Sequence, residues 1–119
     1  MARAISESDL LWRLAGVHFA YNGTPVLRSI DLELRRGCCY GILGPNGSGK
    51  TTLLDLMGGL LQPHGGSIEF LCQPLDSWPK KQLARRLSLV PQDFMVRFGY
   101  AVREVVEMGL HPHLHRFAA

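Results

Sequence analysis

The chain has 119 residues, a formal net charge of +3 and an apolar content of 46%. This length suits one small domain, and the apolar content favours a globular protein over a disordered one. No apolar run approaches the roughly 20 residues that span a bilayer, and Glu7 and Asp9 interrupt any N-terminal signal sequence, so the sequence predicts a cytoplasmic protein. The basic residues are scattered or paired, which indicates solvated surface and no nucleic-acid partner.

In chain order, residues 1–10 are predicted to form a loose leader. A strand over residues 11–21 has an apolar side that changes parity once, which predicts a bulge near Gly16. The turn sequence at residues 22–25 returns the chain into a second strand over residues 26–34. Its strict alternation is typical of a half-buried antiparallel strand.

A short apolar segment at residues 37–43 predicts a buried strand that enters a glycine-rich loop. Beyond that loop, apolar residues at helical spacing predict a helix that ends near Gly58-Gly59. The remaining predicted elements are a strand at residues 67–71, a helix from Pro79 to about Arg86, a strand at 87–90, a loop at 92–99 and a helix at 101–108. The last of these has Ala101 where Thr would complete a capping box with Glu104.

The glycine-rich loop carries the chemistry. Its sequence, Gly44-Pro45-Asn46-Gly47-Ser48-Gly49-Lys50-Thr51-Thr52, fits the phosphate-binding pattern G-x-x-x-x-G-K-[ST]. The glycines let successive backbone N–H groups curl around an anion. Lys50 adds a mobile positive charge, the Thr51 hydroxyl can ligate Mg²⁺, and a helix starting near Lys50 directs its positive end at the same anion. The predicted strand–loop–helix order favours nucleotide binding over a chance glycine-rich turn.

The three cysteines, Cys38, Cys39 and Cys72, lack the C-x-x-C spacing of metal and redox sites. Unpaired cysteines in a reducing compartment are often small apolar core residues, so we predict three reduced, buried thiols.

The histidines His111, His113 and His115 alternate, but Pro112 interrupts regular pairing and no acidic or thiol ligand is near. This pattern favours a surface tail over a metal site. Two other histidines are predicted to be exposed: His18 and His64.

In these motifs the chain resembles the ATP-binding subunit of ABC transporters. The resemblance extends from Leu14 to Phe117 and includes the loop with Leu53-Leu54, Pro63-x-x-Gly66-x-Ile68 and the segment 83–92. Residues 102–114 are similar to importers of iron–siderophore, haem or cobalamin. The resemblance implies an α/β P-loop NTPase (ABC ATPase) fold, incomplete, with an antiparallel β-rich N-terminal part packed on the P-loop strand and helix.

The resemblance also implies site residues and partners. Residues Gly44 to Thr52 would hold the phosphates of ATP, with Thr51 and the Q-loop residue Gln92 at Mg²⁺. Tyr21 is similar to the aromatic residue that stacks on adenine, although its periodicity alone favours the core. The implied partners are transmembrane permease subunits and a second ATP-binding subunit, and the implied location is the cytoplasmic face of the membrane.

The sequence departs from the family pattern in several places. It has no Leu-Ser-Gly-Gly-Gln signature motif, no apolar strand ending in Asp-Glu and no switch histidine, so residues 11–119 resemble the N-terminal portion of a nucleotide-binding domain that stops within its helical subdomain. Because hydrolysis needs a base and compensation of developing charge, we predict nucleotide binding without useful turnover and no catalytic residue in this chain. Leu71-Cys72 replaces a frequent Asp-Gly, so a different turn is expected there.

Three alternative functions stay open. A small nucleotide-binding module without turnover would use the same loop. A GTPase or nucleotide kinase is disfavoured because no Asn-Lys-x-Asp is present and Asp55-Leu56-Met57-Gly58 lies too close to the loop to act as a switch. An ABC protein outside transport is disfavoured by the segment that follows Gln92.

Overall fold

The structure, a computed structural model, describes residues 6–92 and 99–114. The chain divides into two compact units, Met1–Trp78 and Pro79–Ala119. The first unit contains β1 (Leu10–Tyr21), β2 (Thr24–Arg35), α1 (Lys50–Met57), β3 (Gly65–Phe70) and β4 (Gln73–Pro74). The second contains α2 (Lys80–Arg86) and α3 (Val102–Glu107). Short 3₁₀ helices lie at Glu7–Asp9, Leu75–Ser77 and Met108–His113.

The strands of the first unit form one antiparallel sheet in the order β2-β1-β3-β4. The inner strand β1 buries Leu14 and Val17, which are three positions apart. Side chains on one face of a regular strand are an even number of positions apart, so this spacing requires an irregularity. The pairing of β1 with β2 shifts register between these two residues, where Gly16 adopts φ +57° and its N–H donates to Asp31 Oδ1 at 2.7 Å. The predicted bulge is therefore confirmed, as is the half-buried alternation of β2.

The charged side chain of Arg13 spans the sheet. Its guanidinium lies 3.4 Å from Glu33 on β2, 3.7 Å from Glu69 on β3 and 3.6 Å from Glu7. Desolvation lowers the pKa of Arg13, but these three carboxylates outweigh that effect and hold it above its ordinary value. Since each of the four side chains is 34% exposed or more, solvent screens the ion pairs and they contribute little to stability.

Helix α1 is joined to the sheet at its C-terminal end. The indole Nε1 of Trp12 on β1 donates to the carbonyl oxygen of Met57 at 3.2 Å. Leu56 and Met57 are buried, and the helix ends at Met57 as the glycines after it predict. Leu60 lies beyond this end and is exposed.

Two predicted strands are absent. Residues 38–43 are exposed and irregular, with Leu43 96% exposed, and residues 87–90 are likewise irregular, with Val90 89% exposed. Apolar composition predicts burial, but a strand also needs a neighbour for its N–H and C=O groups. None of the four described strands pairs with either segment.

The prediction that the three cysteine thiols are buried was wrong. Cys38 and Cys39 lie in the irregular segment and are exposed. Cys72 is exposed because it occupies the two-residue turn between β3 and β4.

In the second unit, Leu83 of α2 is buried, while Lys81 and Arg85 donate to the carbonyl oxygens of Leu114 and Pro112. The carboxylate of Glu104 accepts from the N–H of Ala101 at 3.3 Å, which supplies half of a capping box.

His111 and His113 are exposed, and His115 and most of the predicted loop after Gln92 lie outside the described residues. Within residues 6–92 and 99–114, no helix has the length and apolar content to cross a bilayer.

Candidate functional site

The loop before α1 is curled. Gly47 and Gly49 have φ angles of +84° and +97°, in the left-handed region that side chains disfavour. The N–H of Ser48 donates to the carbonyl oxygen of Pro45 at 3.2 Å, which closes a tight turn within the loop. A Cβ atom on Gly44 would lie 2.8 Å from Ser48 Oγ, so a side chain there would force the Ser48 hydroxyl to move.

The N-terminus of α1 is open at the end of this loop. Helix α1 begins at Lys50, as predicted, and its N-cap, Gly49, makes no side-chain capping hydrogen bond. The first helical hydrogen bond runs from the N–H of Leu53 to the carbonyl oxygen of Gly49, 2.9 Å away. The preceding N–H groups, from Lys50 to Thr52, therefore have no partner within the helix and carry its partial positive charge.

Lys50 folds back over the loop. Its ammonium donates to the carbonyl oxygens of Gly44 and of Pro45, the latter at 3.0 Å. The positive charge is thereby held beside the exposed helix terminus. An anion that docks there would meet both the ammonium and the free N–H groups.

The two threonines of the motif have different environments. Thr51 is exposed, so its hydroxyl is accessible to a cation. Thr52 is only 7% exposed, so of the two threonines it is the less accessible to a cation. Oxygen ligands from a hydroxyl, from phosphate and from water are the set that Mg²⁺ prefers.

The β1–β2 hairpin contacts the loop at its closed end. A Cβ atom on Gly49 would lie 2.9 Å from Leu27 Cδ2 and 3.1 Å from Val26 Cγ1, so the start of β2 abuts the helix terminus. Tyr21 pairs with Thr24 at this same end of the hairpin. It is 48% exposed, which excludes the core position that periodicity favoured. The structure thus brings Tyr21 and the loop to one end of the first unit.

A comparison with protein families shows the family to which the chain belongs. A family model described as ABC transporter matches residues 27–116. The chain belongs to the ABC transporter family. Its predicted fold class, the P-loop ABC ATPase fold with an antiparallel β-rich N-terminal part, is confirmed.

Similar proteins of the ABC family are considerably longer. A hemin import ATP-binding protein, HmuV, of Photobacterium damsela subsp. piscicida is 36% identical over 90% of this chain and 40% of its own length. A cobalamin import ATP-binding protein, BtuD, of Halobacterium salinarum is 39% identical over 87% of this chain and 26% of its own length. A solved structure of an ATP-binding subunit of an ABC transporter shares the fold with a TM-score of 0.76 and 21% identity, over 87% of this chain and 42% of that one.

Gln92, which the resemblance to ABC proteins predicts to be the Q-loop glutamine, belongs to the second unit and is exposed. Its part in Mg²⁺ binding stays a prediction. Within the described residues no cluster of three or more histidine, cysteine or acidic side chains could hold a metal ion. A Mg²⁺ ion bound through one hydroxyl and through phosphate oxygens requires no such cluster.

One residue beside Tyr21, His64, was not among the predicted site residues. His64 is exposed, as predicted, but its imidazole Nδ1 accepts a hydrogen bond from the N–H of Ala20, next to Tyr21, at 3.1 Å. Neither periodicity nor a motif indicates this contact, because His64 follows Ala20 by 44 positions in the chain.

Proposed function

We propose that this chain supplies the ATP-binding site of an ABC importer whose cargo is haem, cobalamin or an iron–siderophore. The observation that carries the proposal is the open N-terminus of α1 behind a curled glycine loop, with the Lys50 ammonium beside it. The similarity to a hemin import and a cobalamin import ATP-binding protein supports the class of cargo.

In the proposed site, residues Gly44 to Thr52 hold the phosphates of ATP. The first-turn N–H groups of α1 and the Lys50 ammonium compensate their charge. The exposed hydroxyl of Thr51 ligates Mg²⁺, and the resemblance to ABC proteins assigns Gln92 a part in Mg²⁺ binding. The exposed ring of Tyr21 stacks on adenine, a contact worth on the order of 1–3 kcal/mol.

Binding would exchange one set of partners for another. The Lys50 ammonium leaves the carbonyl oxygens of Gly44 and Pro45 and turns to phosphate oxygens. Charge-assisted hydrogen bonds to phosphate are stronger than those to neutral carbonyls, so the exchange favours the bound state.

The chain alone is proposed to bind nucleotide without useful turnover. Hydrolysis requires a positioned water, a base and compensation of the charge that develops on the transferred group. The sequence lacks the signature motif and an Asp-Glu strand, which would contribute to these requirements. In a full transporter, permease subunits and a second ATP-binding subunit would be the partners, at the cytoplasmic face of the membrane.

Isothermal titration with ATP, in Mg²⁺ and in EDTA, tests the binding site. We expect saturable binding that Mg²⁺ strengthens, and we expect Thr51→Val to reduce the affinity in Mg²⁺ to that measured in EDTA. Ser88→Ala, which removes an exposed hydroxyl of the second unit, is the control and should bind as the unaltered chain does. Absence of binding, or full Mg²⁺ enhancement in Thr51→Val, would contradict the proposed site.

A phosphate-release assay tests the absence of turnover. Magnesium-dependent hydrolysis by the purified chain that disappears in Lys50→Ala would show that this polypeptide suffices for catalysis, contrary to the proposal.

A further inference from the structure

We propose that His64 positions Tyr21 for the purine base of the nucleotide, and so sets how much the base adds to the affinity for triphosphate. This inference rests on the proposed nucleotide site. It concerns a histidine outside the glycine loop that the sequence offered no reason to select.

The first observation is that His64 continues the sheet where its backbone ladder stops. The last register pair of β1 and β3 is His18 with Gly65, and the N–H of His64 donates to the carbonyl oxygen of His18 at 2.8 Å. Strand β3 begins at Gly65, so no further β3 residue can pair with Ala20. The His64 imidazole takes that place, and its Nδ1 accepts from the N–H of Ala20 at 3.1 Å.

The β2 side supplies no hydrogen bond to the N–H of Ala20. This N–H points towards His64, so the pair that Ala20 forms with Pro25 across β1–β2 is a non-hydrogen-bonded pair of the antiparallel ladder. The backbone immediately before Tyr21 therefore depends on the β3 side for this bond, where the ladder has ended. The hydrogen bond to His64 is the contact that restrains it on the β3 side.

The second observation is a continuous series of ring contacts. The imidazole of His64 stacks on Phe19, with centroids 4.8 Å apart and planes 14° apart. Phe19 in turn meets Tyr21 edge to face, with centroids 4.8 Å apart and planes 82° apart. Phe19 is buried and Tyr21 is 48% exposed, so the series orients a ring whose free surface is open to a ligand.

The hydrogen bond defines the state of the imidazole. Nδ1 can accept from the N–H of Ala20 only if it carries no proton, so the contact requires an acceptor at this position of the ring. An asparagine side chain can place an acceptor near the position of Nδ1, whereas phenylalanine keeps a ring against Phe19 without an acceptor. These two substitutions separate the hydrogen bond from the ring contact.

The test compares ATP with inorganic tripolyphosphate, which has the phosphates but no base. Titrations in Mg²⁺ are made with the unaltered chain and with His64→Ala, His64→Phe and His64→Asn; His111→Ala, in the second unit, is the control. We expect His64→Ala and His64→Phe to bind ATP about threefold to tenfold more weakly, the range that one hydrogen bond supplies. Their affinity for tripolyphosphate should be unchanged, and His111→Ala should bind both ligands as the unaltered chain does. His64→Asn keeps the acceptor but loses the ring contact, so it should bind ATP more tightly than His64→Ala does.

Several results would overturn the inference. If ATP and tripolyphosphate affinities fall together, or if His64→Ala does not fold and His64→Phe binds ATP normally, the role of His64 is structural. Equal affinity of the unaltered chain for both ligands would show that the base is not read, while the phosphate site would stand. Binding of neither ligand would remove the proposed function as well.

Discussion

The Nζ atom of Lys50 lies 3.0 Å from the carbonyl oxygen of Pro45, so the loop already holds the charge that a phosphate would need. The same ammonium also donates to the carbonyl oxygen of Gly44. The loop also has two left-handed glycines and an uncapped helix start, so the backbone part of the proposed anion site is in place without a ligand, and only the ammonium has to change partners. Preorganised donors lose less entropy on binding than donors that must first be ordered.

We expect Lys50→Ala to weaken ATP binding by about tenfold to a hundredfold, because charge-assisted hydrogen bonds contribute about 1.5–3 kcal/mol. Isothermal titration measures the loss. Lys80→Ala, which removes an exposed lysine from the second unit and keeps the net charge of the two variants equal, should bind normally. Equal weakening in both variants would attribute the effect to net charge and not to the loop.

Alanine substitutions at Gly47 and Gly49 distinguish the cost of backbone strain from the cost of a close contact. Alanine at either position must adopt a positive φ, which destabilises by about 1–2 kcal/mol. Alanine at Gly49 would in addition place its Cβ 2.9 Å from Leu27 Cδ2, whereas nothing lies within 4 Å of a Cβ at Gly47. We therefore expect Gly49→Ala to lower the free energy of unfolding by about 1–3 kcal/mol more than Gly47→Ala does.

Denaturant unfolding measures that difference. Gly41→Ala is the control, since its Cβ would meet nothing within 4 Å and its φ is not positive, and its stability should be close to that of the unaltered chain. Equal losses in Gly47→Ala and Gly49→Ala would contradict the contact between β2 and the loop.

The backbone of the turn at Leu71 and Cys72 is strained, and a glycine substitution can relieve this strain. Both residues have positive φ, +50° and +60°, in a two-residue hairpin turn between β3 and β4. Such turns favour Asn-Gly or Asp-Gly. We expect Cys72→Gly to raise the free energy of unfolding by about 1 kcal/mol. Cys39→Gly is the matched control, because its φ is not positive, and it should give no gain.

All three cysteines are exposed, so all three thiols should react with a chromogenic disulfide reagent in native buffer. Titration in denaturant supplies the total for comparison. If neither Cys38 nor Cys39 reacts in the native protein while Cys72→Ser leaves the titration unchanged, the exposed, irregular structure of residues 38–43 is contradicted.

The predictions that were confirmed depend on neighbours along the chain. The bulge at Gly16, the start of α1 at Lys50 and its end before Gly58 follow from local periodicity and glycine positions. The prediction of strands at residues 37–43 and 87–90 was wrong, because apolar composition does not reveal whether a partner strand is present. The partner of His64 was missed because its imidazole meets a backbone N–H from a distant strand.

By itself the sequence determined that a phosphate loop precedes a helix and that the chain belongs among ABC proteins, since both depend on the order of a few adjacent residues. Only the tertiary structure decided that Val26 and Leu27 abut Gly49, that Tyr21 lies at the same end of the hairpin, and that His64 restrains the strand beside it. These contacts join residues far apart in the chain, and strand register, which no local pattern specifies completely, determines which of them meet.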